Sequence, residues 1–199
     1  MPRNVEKDMQ LREKRIAHIL DTAIETMAVK GIGSVSIGDL ARAASVSVGN
    51  VYHYFKSKDE IFAELLRRGQ TGYGDFVAQL ADADMTAPEK LRTLCATWLS
   101  TGNNWAYTIL IHTARMSESS TEELRAEVTR RFTDNLKPVA RMIEQGQQEG
   151  TVVPGDPREL AFYFVSLIQG LTLQRAPGAE VPVDIHADNV LGLFLQKKV

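Results

Sequence analysis

Residues 36–58, SIGDLARAASVSVGNVYHYFKSK, decide how the chain is read. Ser36 stands where a helix cap is needed, with Asp39 three residues on to complete a capping box. Ile37, Leu40, Ala41 and Ala44 then fall at i, i+3, i+4 and i+7, a single apolar stripe. The stripe ends at Ser45 and Val46, which form a turn, and Ser47 offers its hydroxyl to the N–H groups that open a second helix over Val48 to Phe55. In that helix only Val51 and Phe55 face inward at i, i+4 spacing, while Gly49, Asn50, Tyr52 and His53 point outward with no charge among them. Two short helices across a tight polar turn make a helix-turn-helix pattern. Its outer face suits nucleic acid: serine, tyrosine and N-terminal N–H groups donate to phosphate oxygens, asparagine pairs with a base edge, and Gly49 permits close approach.

Working outward, a helix is predicted over about Leu11 to Lys30, with Ile16, Ile19, Leu20, Ala23, Ile24 and Met27 on one face and Gly31 beyond its end. It supplies a wall for the two short helices, while residues 1–10 are unpatterned and read as an arm. On the other side, Ser57 and Glu60 form a capping box for a helix from near Asp59, with Ile61, Phe62, Leu65 and Leu66 apolar. Gly69, Gly72 and Gly74 follow within six residues. Each is about 1 kcal/mol worse than alanine in a helix interior, so the segment is expected to bend or break, as a hinge would.

The run Ala41-x-x-Ala44-Ser45-Val46-Ser47-x-Gly49-x-Val51-Tyr52-x-Tyr54-Phe55-x-Ser57-Lys58-Asp59 resembles the DNA-binding signature of the tetracycline-repressor (TetR) family of bacterial transcription regulators, over about residues 12–66. One position departs: Ser45 stands where the family usually has glycine, and a non-glycine residue at positive φ carries strain. The resemblance implies an all-α chain with a DNA-binding domain at 1–55 and a ligand-binding and dimerisation domain at 56–199. It further implies a homodimer on a palindromic operator, acting as a repressor released by a small molecule. Matched position by position, it assigns Ser36, Ser47, Tyr52, Tyr54 and Lys58 to phosphates and Val48, Gly49, Asn50 and His53 to the surface facing bases.

Composition fits a globular protein: 199 residues, 44% hydrophobic and 24% charged. No basic segment followed by an apolar core opens the sequence, which predicts a cytoplasmic location. Charge alone argues weakly for a nucleic-acid partner. Residues 1–60 hold nine Lys+Arg against eight Asp+Glu and the remainder fourteen against seventeen, so the case rests on placement, with Arg3, Lys7, Arg12, Lys14, Arg15, Lys56 and Lys58 flanking the two short helices. The single cysteine, Cys95, lies among Leu94, Ala96 and Leu99 and reads as a core residue.

Beyond residue 86 the pattern stays helical. Thr86-Ala87-Pro88-Glu89 and Asp156-Pro157-Arg158-Glu159 are strong start signals, Ser120 with Glu123 is another, and Pro138 is predicted to kink the helix that carries it. From Thr93 to Ala114 there is no Lys, Arg, Asp or Glu, but Ser100, Thr101, Gly102, Asn103 and Asn104 interrupt the run, which predicts two buried helices and no membrane span. A ligand pocket is expected there, drawing on Trp98, Trp105, Tyr107, Met116, Phe132, Leu136 and Met142 for apolar surface and on Asn103, Asn104, His112 and Arg115 for orientation, so the effector should be largely apolar. Leu160, Phe164, Leu167, Ile168 and Leu171, apolar nearly all round their helix, join Leu191 and Phe194 of a last helix over about Asp184 to Lys197 as the predicted dimer contact.

No catalytic, cofactor or metal motif is present: HExxH, CxxC, GxxxxGK[ST], GxSxG and GxGxxG are all missing, and His18, His53, His112 and His186 are scattered. No enzyme, no cofactor and no metal are therefore expected. The rival readings are a helical scaffold that does not bind DNA and an enzyme on a helical fold.

Overall fold

The computed structural model describes residues 5–117 and 120–197. Among these every extended element is helical apart from one isolated antiparallel bridge, Val152 to Leu195. The order is α1 (Val5–Lys30), α2 (Ile37–Ala43), α3 (Val48–Tyr54), α4 (Lys58–Asp82), α5 (Ala87–Ser100), α6 (Asn104–Met116), α7 (Glu122–Gln148), α8 (Pro157–Leu173) and α9 (Ala187–Leu191). The chain divides into two compact units after Arg67, within α4, whereas the family resemblance implied a division at 55.

In the first unit α1 packs on α2 and α2 on α3. The predicted stripe is inside: Ile19, Leu20, Ala23, Ile24 and Met27 of α1, Leu40 and Ala41 of α2, Val51 of α3 and Ile61, Phe62, Leu65 and Leu66 of α4 are all buried. Fully burying one such side chain contributes about 1.5–3 kcal/mol, which is what allows helices of seven residues to persist when neither would hold alone. The expected arm is only partly testable. Residues 1–4 lie outside the described residues, and from Val5 onward the chain is already helix.

The second unit is built on a core of Val77 and Leu80 from α4, Leu91, Leu94, Cys95 and Leu99 from α5, Val139, Met142 and Ile143 from α7, and Ala161, Phe164, Val165 and Ile168 from α8. Val190, Leu191 and Phe194 close it from the C-terminal side. Burial pushes the Cys95 thiol up to about 11, which keeps it protonated and inert at neutral pH, as its apolar neighbours suggested.

Three expectations are corrected. α4 is one unbroken helix through Gly69, Gly72 and Gly74. Two of these glycines give room to a neighbour: a Cβ on Gly69 would stand 2.2 Å from the Tyr107 ring, and one on Gly74 would stand 2.4 Å from Asn135 Oδ1. The cap of α7 is Thr121 in place of Ser120, its hydroxyl accepting from Leu124 N–H. The last helix spans five residues, because Phe194 turns into the core and Leu195 bridges to Val152.

Candidate nucleic-acid interface and ligand cavity

The turn between α2 and α3 is set by backbone hydrogen bonds. Ser36 and Asp39 form the predicted capping box at the start of α2, with Asp39 N–H donating to Ser36 Oγ at 3.1 Å and Ser36 N–H to Asp39 Oδ2 at 3.0 Å. The hydrogen bond from Lys30, followed by those from Ser36, holds the Asp39 carboxyl well below the usual carboxylate range. At the other end Val46 N–H donates to Ala41 O and Ser45 N–H to Arg42 O, the double bond of a Schellman motif. That motif needs a left-handed residue. Ser45 supplies it at φ 54°, the one non-glycine positive φ among the described residues. The ring of His18 on α1 lies 2.9 Å from Ala44 O and so ties the helix end to the first helix.

α3 starts at Ser47, whose Oγ accepts from Asn50 N–H at 3.1 Å, and presents Val48, Gly49, Tyr52 and His53 to water. Val48 is 45% exposed and Tyr52 55%, large apolar groups without an internal partner. A Cβ on Gly49 would meet nothing within 4 Å, so no neighbour inside the chain explains the glycine. Tyr54 is half-buried, with its ring 4.8 Å from that of His53 and the Arg12 guanidinium 5.6 Å above it.

Three predicted contacts look different in place. Lys58 Nζ donates to the carbonyls of Ile32, Gly33 and Val35 at 2.8, 3.1 and 3.1 Å, so its three protons brace the α1–α2 connection. Asn50 Oδ1 is buried and without a partner, so an adenine would reach the amide's acceptor only after the side chain turns outward. Ser36 Oγ is likewise engaged with Asp39 Oδ2, at 2.7 Å.

The second unit contains a cavity of about 190 Å³. α4 lines it with Gly69, Gln70, Tyr73 and Phe76, α5 with Thr97 and Trp98, and Thr101 follows. α6 adds Asn104, Tyr107 and Ile111, α7 Phe132, Asn135 and Leu136, and α8 Val165 and Gln169. Of the residues expected to bind ligand, the cavity gathers Trp98, Asn104, Tyr107, Phe132 and Leu136. Trp105 is buried but does not line it, Met142 belongs to the core, Asn103 precedes α6, and Met116 is 70% exposed. His112 and Arg115 line a more open groove with Thr108, Ser166 and Gly170, where the Arg115 guanidinium sits 5.2 Å from the Phe132 ring centre.

Sequence reasoning missed the α4 wall because the glycines there looked like a break. Gln70 is 4% exposed; its Nε2 donates to Val128 O at 2.9 Å and its own carbonyl accepts from Asn135 Nδ2 at 2.8 Å. The Trp98 ring meets Tyr73 edge-on at 4.8 Å, and its backbone carbonyl accepts from Asn104 Nδ2 at 2.7 Å. Desolvation pushes the Tyr73 phenol pKa up, so it stays neutral. Two buried polar atoms, Gln70 Oε1 and Trp98 Nε1, find no partner.

The predicted dimer contact is also revised. Phe164, Ile168, Leu191 and Phe194 are buried in their own chain's core, and Leu160, Leu167 and Leu171 are half-buried against it, because α8 is the wall on which the second unit closes. What α8 leaves outside is Phe162, Tyr163 and Leu173.

A capped helix-turn-helix unit followed by a larger helical unit that holds a cavity defines a class, the two-domain all-α helix-turn-helix proteins. Residues 19–65 match the family model "Bacterial regulatory proteins, tetR family" and residues 87–176 match "Tetracyclin repressor-like, C-terminal domain". The chain is 33% identical over 69 residues to the HTH-type transcriptional regulator AcrR of Shigella flexneri, a match spanning 35% of this chain and 32% of AcrR, so about a third of that relative's length is matched. It is 22% identical over 189 residues to the HTH-type transcriptional repressor KstR2 of Rhodococcus jostii, 94% of this chain and 93% of that one. A solved TetR-family regulator from Agrobacterium tumefaciens superposes with a TM-score of 0.74 at 17% identity, over 93% of this chain and 100% of the other, a likeness of fold. The chain belongs to the TetR family of bacterial regulatory proteins, whose members are transcriptional regulators and not enzymes. Among the described residues no helix is long and apolar enough to cross a membrane, and no cluster of three or more His, Cys, Asp or Glu could hold a metal ion.

Proposed function

We propose that this protein is a cytoplasmic transcriptional repressor that binds a palindromic operator as a homodimer through the outer face of α3, and that a small, largely apolar ligand in the second unit's cavity releases it. The observation that carries this reading is the face formed by Val48, Gly49, Tyr52 and His53, exposed on a capped helix where no neighbour inside the chain explains the glycine. Ser47 and Tyr52 meet phosphates, Val48 and Gly49 approach the bases, and Lys58 acts indirectly by bracing the α1–α2 connection. Repression is supported by the likeness to KstR2 along nearly the whole chain. The dimer forms through the part of α8 left exposed, with Phe162 and Tyr163 as the available apolar surface.

Release works through α4, which contributes Lys58 to the first unit and Gly69 and Gln70 to the cavity wall. A ligand shifts DNA affinity only by its differential affinity for two arrangements of the protein, typically about 1–3 kcal/mol. The test is a titration of DNA fragments flanking the protein's own coding region, followed by fluorescence anisotropy at several salt concentrations. Salt-dependent binding of one fragment, at two protomers per site, is expected. Binding no tighter than to unrelated DNA would remove the reading.

A further inference from the structure

The cavity is not closed. Ile111 of α6, Phe132 of α7 and Gln169 of α8 line both the cavity and the groove that holds His112 and Arg115, so the two adjoin along a shared wall. The groove, of about 370 Å³, differs from the cavity in charge: no Asp or Glu lines it, while His112 and Arg115 stand at i, i+3 spacing on one side of α6. The Arg115 guanidinium lies at that shared wall, 5.2 Å from the Phe132 ring centre, and makes no ion pair among the described residues. Stacking on a ring uses the guanidinium's face and leaves the N–H donors along its edge for an oxygen ligand. Thr108 and Thr113 of the groove donate their hydroxyls to the carbonyls of Asn104 at 2.9 Å and Ile109 at 2.8 Å, so neither competes for that role. Past Leu136 the cavity adjoins a second groove, with Lys137, Arg141 and Arg158. There Lys137 and Arg141 are already paired with Asp134 at 2.7 Å and Asp82 at 2.9 Å, and Glu144 and Asp156 line the groove too, so it offers no comparable positive pole.

We infer that the effector is an amphipathic oxyanion, with its apolar body in the cavity and a carboxylate or phosphate end in the adjoining groove, where Arg115 meets it. This inference rests on the reading of the cavity as the effector site and adds to it the ligand's charge and the place of that charge. A cavity of about 150 Å³ holds benzene, so about 190 Å³ takes a body of that order, and a longer ligand must continue into the groove. The charged end stays on the open side, where it keeps part of its hydration and escapes the penalty of full burial. A guanidinium fork gives an oxyanion charge-assisted hydrogen bonds roughly twice as strong as those to a neutral hydroxyl, and an ammonium end cannot accept them at all.

Calorimetric titration of the full chain with four probes on a common phenylalkyl body tests this: phenylpropionate, phenethyl phosphate, phenylpropanol and phenylpropylammonium. At least one oxyanion should bind about three- to tenfold more tightly than the alcohol, with the ammonium weakest, and the tighter oxyanion names the end group. Arg115→Gln should remove that preference, whereas Arg158→Gln in the second groove should leave it in place; both side chains lie in open grooves, and circular dichroism confirms that each variant is folded. Gly69→Ala, which drives the Tyr107 ring against the cavity, should weaken every probe. Equal binding of alcohol and oxyanions, an oxyanion preference kept in Arg115→Gln or lost in Arg158→Gln, or preferred binding of the ammonium overturns the anionic end at Arg115; weakening of the probes by Gly69→Ala then leaves the cavity standing as an effector site. Failure of all four probes at millimolar concentration, or probe binding untouched by Gly69→Ala, overturns the inference together with the cavity's role as effector site.

Discussion

On α3 the protein shows apolar Val48 and Tyr52 to water, whereas in the second unit it hides polar Gln70 Oε1 and Trp98 Nε1 from it. Both are mismatches between a group and its surroundings, of opposite sign. The α3 face is exposed, and a Cβ on Gly49 would meet nothing within 4 Å, so it can be altered without disturbing the fold. The cavity wall belongs to helices whose other faces form the core, so a change there spreads. Binding and stability are therefore separable in the first region and linked in the second.

The same glycine-to-alanine substitution, made once in each region, tests that contrast. Gly69→Ala puts a Cβ 2.2 Å from the Tyr107 ring, with further ring atoms at 2.7 and 2.9 Å, so the ring must shift into the cavity. Urea denaturation should show a loss of about 1–3 kcal/mol, the usual cost of overpacking, and ligand binding should weaken with it. An unchanged midpoint would mean that the ring moves freely. Gly49→Ala meets nothing within 4 Å, so the fold should be unchanged or up to about 1 kcal/mol more stable from the gain in helix propensity. DNA affinity should nonetheless fall about tenfold or more, because the added methyl obstructs approach to the duplex; tight binding by this variant would place the contact elsewhere.

These two glycines also mark where sequence reading succeeds and where it stops. The α2–α3 unit follows local rules, caps at Ser36 and Ser47 and a stripe at helical spacing, and each connects residues within a turn or two. Even the left-handed turn at Ser45 was visible as a departure from the family pattern. Gly69 and Gly74, by contrast, are explained by Tyr107 and Asn135, partners distant in sequence, so propensity suggested a hinge where packing makes a continuous helix. The same limit affected the dimer contact. Periodicity identifies Phe164 and Ile168 as apolar, but not whether their partner is this chain or another. Gln70 gave no signal at all, since a lone glutamine in a helix is ordinary until its neighbours bury it.

Two smaller effects sharpen the picture of the first unit as a locally determined structure. Ser45→Gly should raise stability by about 0.5–1 kcal/mol, because glycine adopts φ 54° without the Cβ penalty, partly offset by its freedom in the unfolded chain; thermal melting measures it, and a lower midpoint would contradict the strain. Asp39→Asn tests the capping box through pH. The folded carboxyl is depressed by Lys30 and Ser36, so its stabilisation is present above the unfolded value near ~4 and is lost as pH falls through the folded one. Parent should thus melt above the variant by a constant margin from about pH 5 to 8, and the margin should close on acidification below about pH 4. A margin independent of pH down to the lowest accessible value would mean that the charge of Asp39 is irrelevant.

The central claim, that α3's exposed face is the DNA-binding surface, is tested most directly by Tyr52→Ala. Tyr52 is 55% exposed, so the variant should melt like the parent. In an anisotropy titration against the fragment bound by the parent, affinity should fall on specific and unrelated DNA alike, while the slope of log affinity against log salt stays like the parent's, because a neutral phenol displaces no counterion. Parent-like affinity in a folded Tyr52→Ala protein would contradict the account.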